Sequence, residues 1–200
     1  MKRISLGLLF SAAIIFTGCR NENQTAEDRV EENVDMTQEN EEMQAESTDG
    51  EEIRVDIESK SDSNVTGTAV FMQENGEVSM TVELTGLTEG THAIHLHEKA
   101  DCSAEDGSSA GGHWNPTFED HGEWGDEDGY HKGDIGNFEA DADGNATIKF
   151  STDEWCIGCD DDSKNIVGTA VVVHAGADDY VSQPSGDSGN RIACGEVTME

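Results

Sequence analysis

From Ile53 onward the chain alternates. Ile53, Val55 and Ile57 are separated by single polar residues, and the runs 65–72 and 77–84 keep the same two-residue period. Side chains at i and i+2 share one face of a strand, so this pattern predicts half-buried β-strands. Glu74-Asn75-Gly76, between the second and third runs, reads as a turn, because Asn and Gly tolerate the positive φ that tight hairpins require. The same reasoning predicts strands at 91–97, 137–140, 146–151, 165–174 and 191–198, with Asp143-Gly144-Asn145 as a second hairpin turn. No apolar stripe of helical period and useful length interrupts them. The expected fold is an all-β sandwich or barrel of about eight antiparallel strands.

Two stretches, 98–133 and 175–190, are too long and too polar for hairpin loops. Loops of that length in a compact domain commonly carry function.

The N-terminal quarter follows a different pattern. Lys2 and Arg3 precede an apolar run from Ile4 to Phe16, and Phe16-Thr17-Gly18-Cys19 ends it with small residues and a cysteine. This resembles a bacterial lipoprotein signal spanning 1–18, which implies cleavage before Cys19 and lipid on its sulfur; Phe16 stands where such sites usually carry Leu. An ordinary secretory signal with an incidental cysteine is the other reading. Both imply export, into a compartment where disulfides persist. The apolar run is short for a permanent membrane-spanning helix, which needs about 20 residues.

Residues 20–52 carry 13 acidic and 2 basic side chains and almost no aliphatic ones beyond Val30 and Val34. Such a segment buries too little apolar surface to offset its ordering entropy, so 19–52 is expected to be a lipidated, self-repelling tether, with the folded domain at 53–200. An acidic binding tail is the sharper alternative, and no spacing in the segment supports it. Overall the chain has 44 acidic and 11 basic residues, a formal charge of -33. Nucleic acid is excluded as a partner, since phosphate binding needs a basic stripe.

All seven histidines, His92, His95, His97, His113, His121, His131 and His174, fall in the β-rich part. His95 and His97 are an i, i+2 pair on a predicted strand, so both imidazoles face the same side about 7 Å apart. His113, His121 and His131, followed by Asp134, lie in or beside the first long loop. Three imidazoles and a carboxylate suit tetrahedral Zn²⁺. His95, His97 and His174, all on predicted strands, form a second nitrogen set that suits copper.

The motifs Gly90-Thr91-His92-Ala93-Ile94-His95-Leu96-His97-Glu98, Asp101-Cys102-Ser103, Ser109-Ala110-Gly111-Gly112-His113-Trp114-Asn115-Pro116, His131-Lys132-Gly133-Asp134-Ile135-Gly136-Asn137, Val171-Val172-Val173-His174-Ala175 and Arg191-Ile192-Ala193-Cys194-Gly195 follow one another in order. Together they resemble the copper/zinc superoxide dismutase family in its bacterial exported form, over about residues 53–200. The resemblance implies a Greek-key β-sandwich or barrel with two long functional loops. It implies copper bound by His95, His97, His113 and His174, and zinc bound by His113, His121, His131 and Asp134, with the His113 imidazolate bridging the metals. The implied reaction alternates. Cu²⁺ oxidises one superoxide to O₂, and Cu⁺ reduces the next to H₂O₂, while His113 leaves copper and relays a proton. Arg191 would dock the anion beside copper, Asp178 would link ligands of the two metals, and His92 would brace the loops. Asp179 competes with Asp178 for the linking position, and sequence separates them only by alignment. Cys102 and Cys194 would form the family disulfide.

Cys156 and Cys159, in a C-x-x-C, lie outside that pattern. They could be a redox pair, half a zinc site or a local disulfide; the last is favoured, since no second C-x-x-C exists and the fold is not βαβ. Ala100 stands where the first signature usually has Gly. Asp187 stands where a Gly or Asn is usual near Arg191, adding negative charge to a domain of 31 acidic and 7 basic residues after position 52. Long-range steering of an anion should therefore be weak or adverse. Two other functions compete with the enzyme: a non-catalytic, lipid-tethered copper/zinc-buffering module, and an adhesive β-sandwich that leaves the histidine placement unexplained. The expected location is the bacterial cell envelope, anchored to membrane by lipid. A homodimer is compatible with the family, although no motif marks a dimer surface.

Overall fold

The computed structural model describes residues 50–199. The leader, Cys19 and the tether up to residue 49 lie outside the described residues. Eight strands form: β1 (Glu52–Ser59), β2 (Thr66–Glu74), β3 (Glu77–Thr85), β4 (Gly90–His97), β5 (Gly136–Ala140), β6 (Ala146–Thr152), β7 (Ala170–His174) and β8 (Arg191–Glu196). Their hydrogen-bonded order is β5-β4-β7-β8-β1-β2-β3-β6, antiparallel throughout. β7 lies between β4 and β8, and β6 crosses to pair with β3, which are Greek-key connections. The outermost strands of that order, β5 and β6, touch, so the sheet is nearly closed into a barrel.

β1, β2, β3 and β6 alternate between buried and wet positions, as their two-residue period requires. Phe71, Met80 and Leu84 sit fully inside, each burial stabilising the fold by roughly 2–3 kcal/mol. β4 and β7 differ. Their residues are buried on both faces, because Ile94, Leu96, Val171 and Val173 join the core while the 98–135 and 175–190 loops cover the outer face. Histidine can therefore be buried on the outside of the barrel.

The Asn75-Gly76 turn forms as expected, with φ of 52° and 79°. The turn at 143–145 forms too, Asp141 N–H donating to Asn145 O at 2.9 Å, but β5 and β6 do not continue as a hairpin ladder. Each instead pairs with a strand distant in sequence. The strand expected at 165–174 is shortened to 170–174. Asn165 is spent on a turn, its Oδ1 accepting from Gly158 N and Val167 N and its Nδ2 donating to Cys159 O, so residues 165–169 close a loop. The last strand ends at Glu196 rather than Thr198.

Candidate metal centre

On β4, the two-residue period that turns Ile94 and Leu96 into the core turns His95 and His97 outward. They pair in register with Val172 and Ala170 of β7. Two residues beyond Val172, at a bulge between Val173 and His174, β7 places His174 opposite Arg191 of β8. The first long loop then returns to β4. Trp114 N–H donates to Leu96 O at 2.8 Å, bringing His113 beside His97, and Leu96 N–H donates to Gly133 O at 2.9 Å, bringing His131 and Asp134 beside both. Gly133 is required there, since a Cβ would lie 3.0 Å from Trp114 N and closer still to Leu96 O. The two long loops are stitched together at His121, whose backbone N–H and C=O both bond the Gln183 side-chain amide at 2.9 Å.

These paths converge. The ligand atoms of His95, His97, His113 and His174 lie within 4.8 Å of one another, as do those of His113, His121, His131 and Asp134, and all seven residues are buried. His113 belongs to both groups.

The hydrogen bonds fix which nitrogen each ring offers. His97 Nδ1–H donates to Gly111 O at 3.0 Å, and His174 Nδ1 is held by Gly189 O at 3.3 Å and Ser188 Oγ at 3.1 Å. Their Nε2 atoms then face each other as lone pairs 3.3 Å apart. His95 Nε2–H donates to Asp178 Oδ2 at 2.7 Å and His121 Nε2–H to Asp178 Oδ1 at 2.9 Å. The remaining atoms His95 Nδ1, His113 Nε2, His121 Nδ1 and His131 Nδ1 are buried without hydrogen-bond partners. His121 Nδ1 and His131 Nδ1 do approach Asp134, at 2.9 and 3.3 Å, without the alignment of a hydrogen bond. Buried polar atoms normally find partners. Inward lone pairs around two points, with outward N–H groups anchored to oxygen, are the arrangement that transition-metal cations satisfy.

Electrostatics agree with the donor role of His97, His113 and His174. Burial, followed by the neighbouring imidazoles, holds His97 and His174 well below the usual histidine range, and burial lowers His113 to about 4. Their lone pairs are free at neutral pH. Burial works against the Asp134 carboxylate, but the hydrogen bond from His113 Nδ1 at 2.8 Å and the close approach of the His121 and His131 rings outweigh it and hold it well below the carboxylate range. Asp178 is depressed in the same way by His121 and His95. Burial likewise opposes a charge on His121, yet Asp134 and Asp178 raise it to about 9.

Asp178 is the carboxylate that joins the two groups. Asn137 of β5 clasps its backbone in both directions, at 2.7 and 2.9 Å, and the Tyr180 N–H caps Oδ1. Asp179 points away and caps the backbone at Val181 and Ser182. Gly186 packs on this pair: a Cβ would lie 2.7 Å from His121 Nε2 and collide with Asp178. Gly186, Ser188 and Gln183 carry no sequence signal of their own, and Asn137 enters the sequence reading only as the end of the 131–137 motif. Their roles are legible only once the loops are folded.

Arg191 sits half-buried on the wall of a cavity of about 560 Å³ that also exposes His97, His113 and His174. Its guanidinium is fixed by Gly107 O at 2.8 Å and Gly111 O at 2.7 Å. Glu98 and Asp187 line the same cavity. His92 stays outside both groups. It braces the barrel rim, with Nδ1 3.0 Å from His174 O and Nε2 2.9 Å from Thr88 O. Cys102 and Cys194 form a disulfide that ties the first long loop to β8, and Cys156 and Cys159 form a local one.

Comparison with known proteins gives the same answer. The chain is 38% identical over 136 residues to superoxide dismutase (Cu-Zn) 1 of Aquifex aeolicus (strain VF5), covering 66% of this chain and 79% of that protein. Its fold matches the crystal structure of a double mutant of a SOD-like protein from Bacillus subtilis with a TM-score of 0.65 and 31% identity, over 73% of this chain and 97% of that one. A family model described as parvovirus non-structural protein NS1 matches residues 10–103, a span that stops inside the first long loop. The model described as copper/zinc superoxide dismutase (SODC) matches 65–197, from the start of β2 through β8. That span holds every residue of both groups, and the chain belongs to the copper/zinc superoxide dismutase family.

Proposed function

We propose that the chain dismutes superoxide to O₂ and H₂O₂ at this centre, with His95, His97, His113 and His174 holding copper and His113, His121, His131 and Asp134 holding zinc. The observation that carries the assignment is the set of buried inward nitrogens without partners on His95, His113, His121 and His131, beside the outward nitrogens of His95, His121 and His97 anchored to oxygen. Bound there, copper would supply one-electron redox chemistry and zinc a fixed positive charge. The protein does the rest. Arg191 holds a small anion at the cavity wall, because its fork is already oriented by two carbonyls and cannot lose its charge. His113, buried and reluctant to stay protonated, carries a proton on Nε2 only transiently and returns it to the departing product. Asp178 locks the tautomers of His95 and His121 so that both present Nδ1 inward.

Export and membrane tethering belong to the same reading. The leader pattern ending at Cys19, the acidic segment after it and the Cys102–Cys194 pairing all fit a lipid-anchored protein of an oxidising envelope compartment. Superoxide decay after pulse radiolysis, with copper and zinc content measured on the same sample, tests the activity. Fast decay that falls at least 100-fold in His113→Ala supports it. Two tightly bound metals without dismutation by the wild type would leave the metal-buffering function in its place.

A further inference from the structure

The loop between β6 and β7 carries the C-x-x-C that lies outside the family pattern, and it reaches the metal centre from one direction only. Glu154, just ahead of Cys156, accepts a hydrogen bond from Tyr130 Oη on Oε1 at 2.7 Å and pairs through Oε2 with Lys132 Nζ. Trp155 Nε1–H donates to Lys132 O at 2.8 Å. Both residues flanking His131 are therefore gripped by two consecutive residues of another loop.

That grip has a rigid base. Trp155 is 1% exposed and packs on Phe71, Phe150 and Trp124, and Trp124 in turn packs on Tyr130, ring centres 5.0 Å apart. Immediately after it, Cys156 N–H donates to Lys164 O at 2.8 Å, Ile166 N–H donates to Cys156 O at 3.0 Å, and the disulfide to Cys159 closes the turn. By contrast, the last turn before His131, residues 126–130, is tied by local bonds, Asp126 N–H to Glu123 O at 2.9 Å, Asp128 N–H to Asp126 Oδ1 at 3.1 Å and Gly129 N–H to Asp126 O at 3.3 Å.

We propose that Glu154 and Trp155, held by the Cys156–Cys159 loop, are positioning residues for His131 and so set zinc retention separately from copper retention. The inference rests on the ligand assignment above. The selectivity follows from the topology: of the seven candidate ligands, those given to copper come from β4, β7 and the 113–114 segment, none of which Glu154 or Trp155 bonds. Loosening the 130–132 segment lets the His131 ring leave its orientation, and outer groups that orient a ligand typically govern metal affinity by 10–100-fold.

The test uses the full chain stripped of metal, as wild type, Glu154→Ala and Trp155→Phe. Zinc affinity is read by competition with a chromophoric chelator, copper affinity in parallel, and the geometry of the zinc position by the visible absorption of added Co²⁺. We expect zinc affinity to fall about tenfold or more in each variant, copper affinity to change less than about threefold, and the Co²⁺ bands to shift or weaken. Glu154 is only partly buried, so its variant keeps the test open if the Trp155 variant folds poorly. Unchanged zinc affinity and Co²⁺ spectra in both variants, beside normal wild-type binding, would overturn this proposal alone, and equal loss of both metals would replace it with general loosening. A wild-type chain that takes up no Co²⁺ or Zn²⁺ would overturn the ligand assignment, and this proposal with it.

Discussion

Replacing Arg191 with Ala isolates the one cation placed against the copper-side imidazoles. A monoanion about 4 Å from a guanidinium gains about 4 kcal/mol at an effective dielectric of about 20. Arg191 is only half-buried and its cavity is open to water, so about half of that, about 2 kcal/mol, is a reasonable share. That corresponds to a fall of about 30-fold in kcat/KM. Arg191→Lys should recover only part of the loss, since an ammonium cannot bond Gly107 O and Gly111 O together in one plane. The assay is superoxide decay after pulse radiolysis at enzyme far below substrate, with copper and zinc content matched across the three proteins. If Arg191→Ala with full metal keeps more than half of the wild-type kcat/KM, the guanidinium does not dock the substrate and the reasoning fails.

Three further outcomes follow from the same structure. Because the domain is strongly acidic and Glu98 and Asp187 line the cavity, kcat/KM should rise or stay flat as salt is added, and Asp187→Asn should raise it a few-fold at low ionic strength; a steep fall with salt would contradict this. Removing the disulfide by Cys102→Ser with Cys194→Ser opens a constraint spanning 92 residues, and urea unfolding should show a loss of about 4 kcal/mol, whereas a loss under 1 kcal/mol would mean the loop is held by its other contacts. The metal-free chain should lose stability as pH falls from about 6.5 to 4. His97, His113 and His174 bind protons more weakly folded than unfolded, so the unfolded state is favoured below the ordinary histidine pKa, His113 alone contributing about 3 kcal/mol by pH 4. His121 has the opposite sign, its contribution being present below the unfolded pKa and lost as pH rises through about 9. Urea midpoints at pH 7 and 4.5 in chelator check the acid limb, and greater stability at pH 4.5 would refute it.

Much of the centre is legible in the chain because it rests on short-range rules. The i, i+2 spacing of His95 and His97 fixes their common face, and hydrophobic alternation fixes which face that is. The strand count emerges from the same alternation. Where the reading fails, a long-range partner has overridden a local pattern. The β-branched Ile166, Val167 and Thr169 look like strand, but Asn165 bonds back across the loop to Gly158 and Cys159. The turn at 143–145 looks like a hairpin, but β5 and β6 find better partners in β4 and β3.

By itself the sequence determined which residues could ligate metal, that the fold is built of strands, and that one arginine stands among the final motifs. Tertiary structure alone decided how they meet. It supplied the geometry behind what the family resemblance implied, bringing His113 into both candidate groups, burying Asp178 while Asp179 caps a turn, and setting Arg191 against His174 through a register shift in β7. It also brought Glu154 and Trp155 to the two sides of His131. The physical reason is one of range. Strand periodicity acts over two residues and is written in the chain, whereas these pairings join groups up to 83 positions apart and depend on the barrel bringing its loops over one outer face.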